Sequence, residues 1–139
     1  MASILKVDAM QGVTSAGDIT ITSEGGAATQ SLQQGLAKAW GCFEQSGTHT
    51  FRDSFNFSSI TDAAVGKSTF VFSNNMENAD YATTGMSGEQ SGGGNRVMGF
   101  AGSTTSPSTS TFAIGNWQLS NGSTSDDTRL SISVLGDLA

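Results

Sequence analysis

A chain of 139 residues has the size of one domain with a small appendage, which excludes two full domains. Its net charge of -6 argues against nucleic acid and anionic membranes as partners. A single cysteine excludes an intrachain disulfide framework, so stability must come from packing or from association with other chains.

Only 13% of the residues are charged, while Ser and Thr make up roughly a quarter of the chain, above their usual share. With 18 Gly and one Pro this is the profile of a turn-rich all-β protein, and eight Phe with two Trp supply a core. The opening MASILKVDAM is too short in apolar residues for a secretion signal, and no stretch reaches membrane-spanning length, so a soluble protein is expected.

In chain order, SILKVD (3–8) and GDITITS (17–23) alternate and read as short strands with little core of their own. AATQSLQQGLAK (27–38) has helix-forming composition broken by Gly35, with Leu32 and Leu36 four apart on one face. Such a helix is marginal alone. Three copies meeting around an axis would bury Leu32 and Leu36; lying on its own domain would serve equally.

From residue 36 strands dominate. LAKAWGCF places Trp40 and Phe43 on opposite faces, although both Trp40 and Trp117 read as core by their size. THTFRDS and FNFSSI continue through Phe51, Phe55 and Phe57, residues 63–67 form a turn, and STFVFS returns with Phe70 and Phe72 on one face. ADYATTGM, NRVMGFAG, TFAIGNWQL and TRLSISVLGDL bring the count to seven or eight short strands. GEQSGGGN (88–95) and GSTTSPSTS (102–110) read as loops. The expected architecture is an all-β, antiparallel β-sandwich or jelly-roll-like domain over 36–139, preceded by a strand-plus-short-helix appendage over 1–35.

Chemical motifs are few. GKST at 66–69 fails as a phosphate loop, because the first glycine it requires falls at Thr61 and the lysine opens a strand rather than a helix. His49 is the only histidine and sits in a polar, strand-like GTHTF, where a cross-strand or exposed role is expected. Asp126 and Asp127 lack the spacing of a calcium loop. Cys42 reads as a small buried hydrophobe. No catalytic, cofactor-binding or metal-binding residues are expected. Trp117 beside Asn116 is a candidate glycan contact, since an aromatic face and an amide can together hold a sugar. The sequons at Asn56 and Asn121 matter only in a secretory host.

GLAKAW (35–40), RDSFNFSSITD (52–62), FVFSNNM (70–76) and NADY (78–81) together resemble a module of virion proteins of marine tailed bacteriophages, found in tail fibres and structural proteins. ASILKVDAMQ (2–11) is similar to the short N-terminal strand motif that begins many of them. GCFEQ after the tryptophan, and AAVGKS where the family has an Asn-Gly-rich turn, depart from its pattern. The resemblance implies a non-enzymatic homotrimer on the virion exterior, as a tail-fibre, adaptor or capsid decoration component. Its partners would be other virion proteins of tail or capsid, with Ile4, Leu5 and Val7 in the docking segment. Two other function classes remain: a carbohydrate-binding module that recognises host surface glycan, and a polysaccharide depolymerase built on paired carboxylates.

Overall fold

The computed structural model describes residues 4–13, 19–23, 25–26, 28–89, 95–102 and 105–139. The chain divides into two units, Met1–Leu36 and Ala37–Ala139.

In the first unit β1 (Thr20–Thr22) pairs antiparallel with β2 (Thr29–Ser31), with Ile21 opposite Gln30. Residues 4–8 carry no regular secondary structure. The helix expected over 27–38 is not formed, which corrects the sequence reading. β2 occupies its first half, and residues 32–35 make a turn closed by Gly35 N–H donating to Ser31 O. β-branched Thr29 favours the strand, the Ser31 hydroxyl accepts from Gln34 N–H, and Gly35 adds nothing to hold a helix together.

The second unit is a β-sandwich of two four-stranded antiparallel sheets. Sheet I has the order β4-β3-β10-β7 and sheet II the order β5-β6-β9-β8. The strands are β3 (Ala39–Glu44), β4 (Thr50–Phe55), β5 (Phe57–Ala64), β6 (Lys67–Phe72), β7 (Ala82–Glu89), β8 (Arg96–Phe100), β9 (Thr111–Gln118) and β10 (Arg129–Leu135). Alternation decides which side chains enter the core. In β6 Phe70 and Phe72 point inward, in β9 Phe112 and Ile114, and in β10 Leu130, Ile132 and Val134. The middle of the core is aromatic. Phe70 meets Phe43 of the opposite sheet edge to face at 5.1 Å and stacks on Phe112 at 5.1 Å, and Phe57 stacks on Phe51 and Phe72. Each such pair adds about 0.5–1.5 kcal/mol beyond the area it buries.

The chain passes from sheet I to sheet II with almost no loop. Asn56 alone separates β4 from β5, at φ 58°, a left-handed conformation that Asn tolerates better than most residues. Its side chain is buried and fully bonded. Nδ2 donates to Lys38 O (3.0 Å) and Asn74 O (3.1 Å), while Oδ1 accepts from Asn74 N (2.7 Å) and Asn74 Nδ2 (3.0 Å). One residue thereby ties the strand before the corner to the start of β3 and to the turn after β6. A buried Asn56 also presents no amide to glycosylation.

The β5–β6 hairpin turns at Val65 and Gly66. Gly66 has φ 68°, and a Cβ there would stand 2.5 Å from Ser125 N, so only glycine lets the turn lie against residues 124–125. Of the two expected loops, residues 88–89 extend β7, and 105–110 pack on Tyr81, whose hydroxyl donates to Ser108 O at 3.1 Å. Residues 90–94 and 103–104 lie outside the described residues.

Asn56→Ala should cost about 2 kcal/mol, because it removes the amide that bonds the buried Lys38 carbonyl and the part-buried Asn74 backbone, and puts alanine in the left-handed region. Asn56→Gly, which relieves only the backbone, should recover about 1 kcal/mol of that loss. Urea denaturation of the three proteins checks both values, and equal stability of Asn56→Ala and the wild type would remove the corner from this explanation.

Burial pushes the Tyr81 phenol up to about 12 from its ordinary 10. The unfolded chain therefore loses this proton first, and stability present below pH 10 is lost as pH rises toward 12. Tyr81 is the only tyrosine, so phenolate absorbance reports it cleanly: ionisation should lag well behind that of a free tyrosine and coincide with unfolding. Titration near pH 10 in the folded protein would contradict the buried placement.

Candidate functional site

In the first unit Ile4, Leu5 and Val7 are all exposed, Leu32 is half-buried, and Leu36 is exposed. Leu32 and Leu36 lie in and just after a turn, so they form no helix face, although the Leu36 side chain is exposed. The first unit thus presents apolar side chains that it does not bury itself.

Asn116 and Trp117 do not share a surface. They are successive residues of β9 and point to opposite faces of sheet II. Asn116 is 0% exposed, and its Nδ2 donates to Ser125 O and Asp127 Oδ2, both at 2.9 Å. This corrects the expectation that Asn116 contacts a glycan, because its amide is already used in the interior. Trp117 lies half-buried on the outer face, its ring over Gly115, where any Cβ would collide with it. Gly99, the strand partner of Gly115, lies under the same ring.

Asn116 belongs to a polar cluster that fills one end of the sandwich. Asp127 sits at its centre, 1% exposed, accepting from the Ser87 hydroxyl and from Asn116, with Arg96 Nε 3.5 Å away. Arg96 Nη2 donates to Ser125 Oγ at 3.1 Å. Beside it Gln45 Nε2 donates to Ser68 Oγ (2.9 Å), and that hydroxyl meets His49 Nδ1 (3.0 Å). His49 is buried rather than exposed and reaches across to β5 and the β9–β10 loop, its Nε2 facing Asp62 at 3.5 Å and Asp126 at 3.9 Å.

Serine, histidine and aspartate thus line up as in a nucleophilic relay. Ser68, however, is 0% exposed and its Oγ is engaged by Gln45, so no substrate carbonyl can reach it. The arrangement acts as a structural tie between the β3–β4 loop, β5, β6 and the β9–β10 loop. Gly66 N–H donating to Asp126 Oδ1 at 2.6 Å adds the hairpin turn to it.

An exposed surface that size-based reading misses lies on the outer face of sheet I. Trp40 is 40% exposed and its strand partner Phe55 is 51% exposed. The strand register extends their row to Ser133 and Thr84, whose hydroxyls are 2.9 Å apart. A neighbouring row holds Asp53, Cys42, Ser131 and Met86. Cys42 is half-buried here rather than enclosed in the core. The signal for this face was present in LAKAWGCF, since alternation separates Trp40 from Phe43, and Phe43 is the core residue.

The chain matches no protein-family model, no curated protein and no solved structure.

Asp127→Asn should destabilise the fold by about 3 kcal/mol, because it leaves the buried Arg96 cation without its counter-charge. Asp62→Asn, at a half-exposed carboxylate, should cost less than about 1 kcal/mol. Thermal denaturation at neutral pH separates the two, and equal effects would contradict a cluster centred on Asp127.

Proposed function

We propose that this chain is a non-enzymatic bacteriophage virion surface protein, a homotrimeric tail-fibre, adaptor or capsid decoration component attached through its N-terminal unit. The observation that carries the reading is the uncovered apolar side chains of that unit, where Ile4 is 78% and Leu5 79% exposed beside exposed Val7, Met10 and Leu36. Apolar surface concentrated in one short unit calls for a partner surface.

The resemblance supports the same reading. GLAKAW supplies Lys38, RDSFNFSSITD supplies Asn56, and FVFSNNM supplies Asn74, the three residues that meet at the sheet corner. The acidic, hydroxyl-rich sandwich suits a part that faces solvent.

Two substitutions test attachment and assembly separately. Ile4→Ser combined with Leu5→Ser should leave the thermal midpoint of the sandwich unchanged and abolish incorporation into particles, scored by quantitative mass spectrometry of purified virions. Leu36→Asp should convert trimer to monomer or to insoluble protein in sedimentation equilibrium. A trimer that persists in Leu36→Asp rejects Leu36 as a subunit contact, and normal incorporation of the double variant rejects the docking role.

A further inference from the structure

The outer face of sheet I combines two features that seldom serve the same purpose. Trp40 and Phe55 stand side by side on adjacent strands, and the row continues into the hydroxyls of Ser133 and Thr84. Four strands at their usual spacing make this row about 14 Å long. Beside it lies an open depression of about 440 Å³, lined by Trp40, Cys42, Thr84, Met86, Ser131 and Ser133 together with backbone. Among the described residues, no charged residue lines it.

We propose that this face is a binding platform for a neutral glycan. An exposed indole and phenyl pair offers flat apolar surface to the C–H faces of sugar rings, and few other polar ligands present such faces. The Thr84 and Ser133 hydroxyls are bonded to each other at 2.9 Å, yet each keeps capacity to donate or accept toward a ligand hydroxyl. A pocket that is mostly apolar with a few fixed polar groups is the usual composition of a small-ligand site. Charge selects among glycans: among the described residues the lining holds no cation to receive a carboxylate or sulfate, and the chain's net charge of -6 disfavours acidic polysaccharide. The depression is open rather than closed, so it accepts the interior of a chain as readily as an end.

A second copy of the protein is the competing occupant. Packing this face against a subunit would take the hydroxyls of Ser131, Ser133 and Thr84 out of water, each needing a new partner at the interface. A hydrated sugar supplies those partners itself. The inference goes beyond attachment to a particle and stands without it.

Isothermal titration calorimetry of the full-length protein with maltohexaose, cellohexaose and mannohexaose, and with an alginate hexamer as the acidic control, tests the proposal. At least one neutral probe should bind with a dissociation constant of about 1 mM or tighter, and the alginate should not. Trp40→Ala should weaken that binding about tenfold or more without changing the thermal midpoint, because Trp40 lies outside the core. Thr84→Val should weaken it with the aromatic pair intact, and Trp117→Phe should leave it unchanged. The proposal is overturned if none of the neutral probes binds, if the alginate binds better, or if Trp40→Ala binds as the wild type does. Sedimentation of the same proteins gives the remaining outcome: an oligomer that Trp40→Ala dissociates, with no sugar bound, makes the face a contact between copies and overturns the proposal too.

Discussion

A strand that leaves one sheet and enters the next through a single residue has to be held at that residue, and Asn56 is how this chain does it. A left-handed backbone there turns the strand, and the amide bonds the two stretches of chain that the turn brings alongside. With β4 and β5 so joined, each sheet has one edge fixed relative to the other. The inward faces of β3, β6, β9 and β10 then meet around a cluster of rings, and a register shift of one residue would turn Phe70, Phe72 and Phe112 to solvent.

The interior is not uniform along the strands. An aromatic middle gives way to a polar end where Asp127, Arg96, Asn116, Gln45, Ser68 and His49 replace apolar packing. These groups draw three connections and several strands together by directed bonds, which fixes the loops at that end in a way that apolar contact would not. The same end places a carboxylate, an imidazole and a serine in line, and burial of the serine is what makes that line structural. The polar end and the Trp40 face are therefore different in kind: one consumes its polar groups internally, the other leaves aromatic rings and hydroxyls facing outward.

Much of the sandwich was legible from alternation, because a period of two survives wherever a strand has one buried face. It located the strands around Phe43, Phe57, Phe70, Phe112 and Ile132 and put Trp40 and Phe43 on opposite faces, but size wrongly assigned Trp40 to the core, where Phe43 stands instead. Composition misled at 27–38, where Gln, Leu and Ala look helical but Thr29, Ser31 and Gly35 leave a strand and a turn. The polar cluster was not legible, since its members come from positions as far apart as 45 and 127 and each looks like an ordinary loop or strand residue alone. Asn116 and Trp117 show the same limit at short range: neighbours in sequence on a strand face opposite ways, so adjacency cannot make a surface. Asn56 could have been found, as an Asn between two alternating aromatic runs marks a place where the chain must turn.

The two units divide the work in this account. The first carries exposed apolar side chains and, under the proposed function, is the part that docks; the second has its own core and presents the Trp40 face. Cryo-electron microscopy of the assembled particle tests this division most directly. The account predicts density for the chain on the particle exterior, with residues 4–13 packed against another virion protein and the Trp40 face of the sandwich open to solvent. Residues 4–13 standing free in solvent, or a particle without this chain, would contradict it.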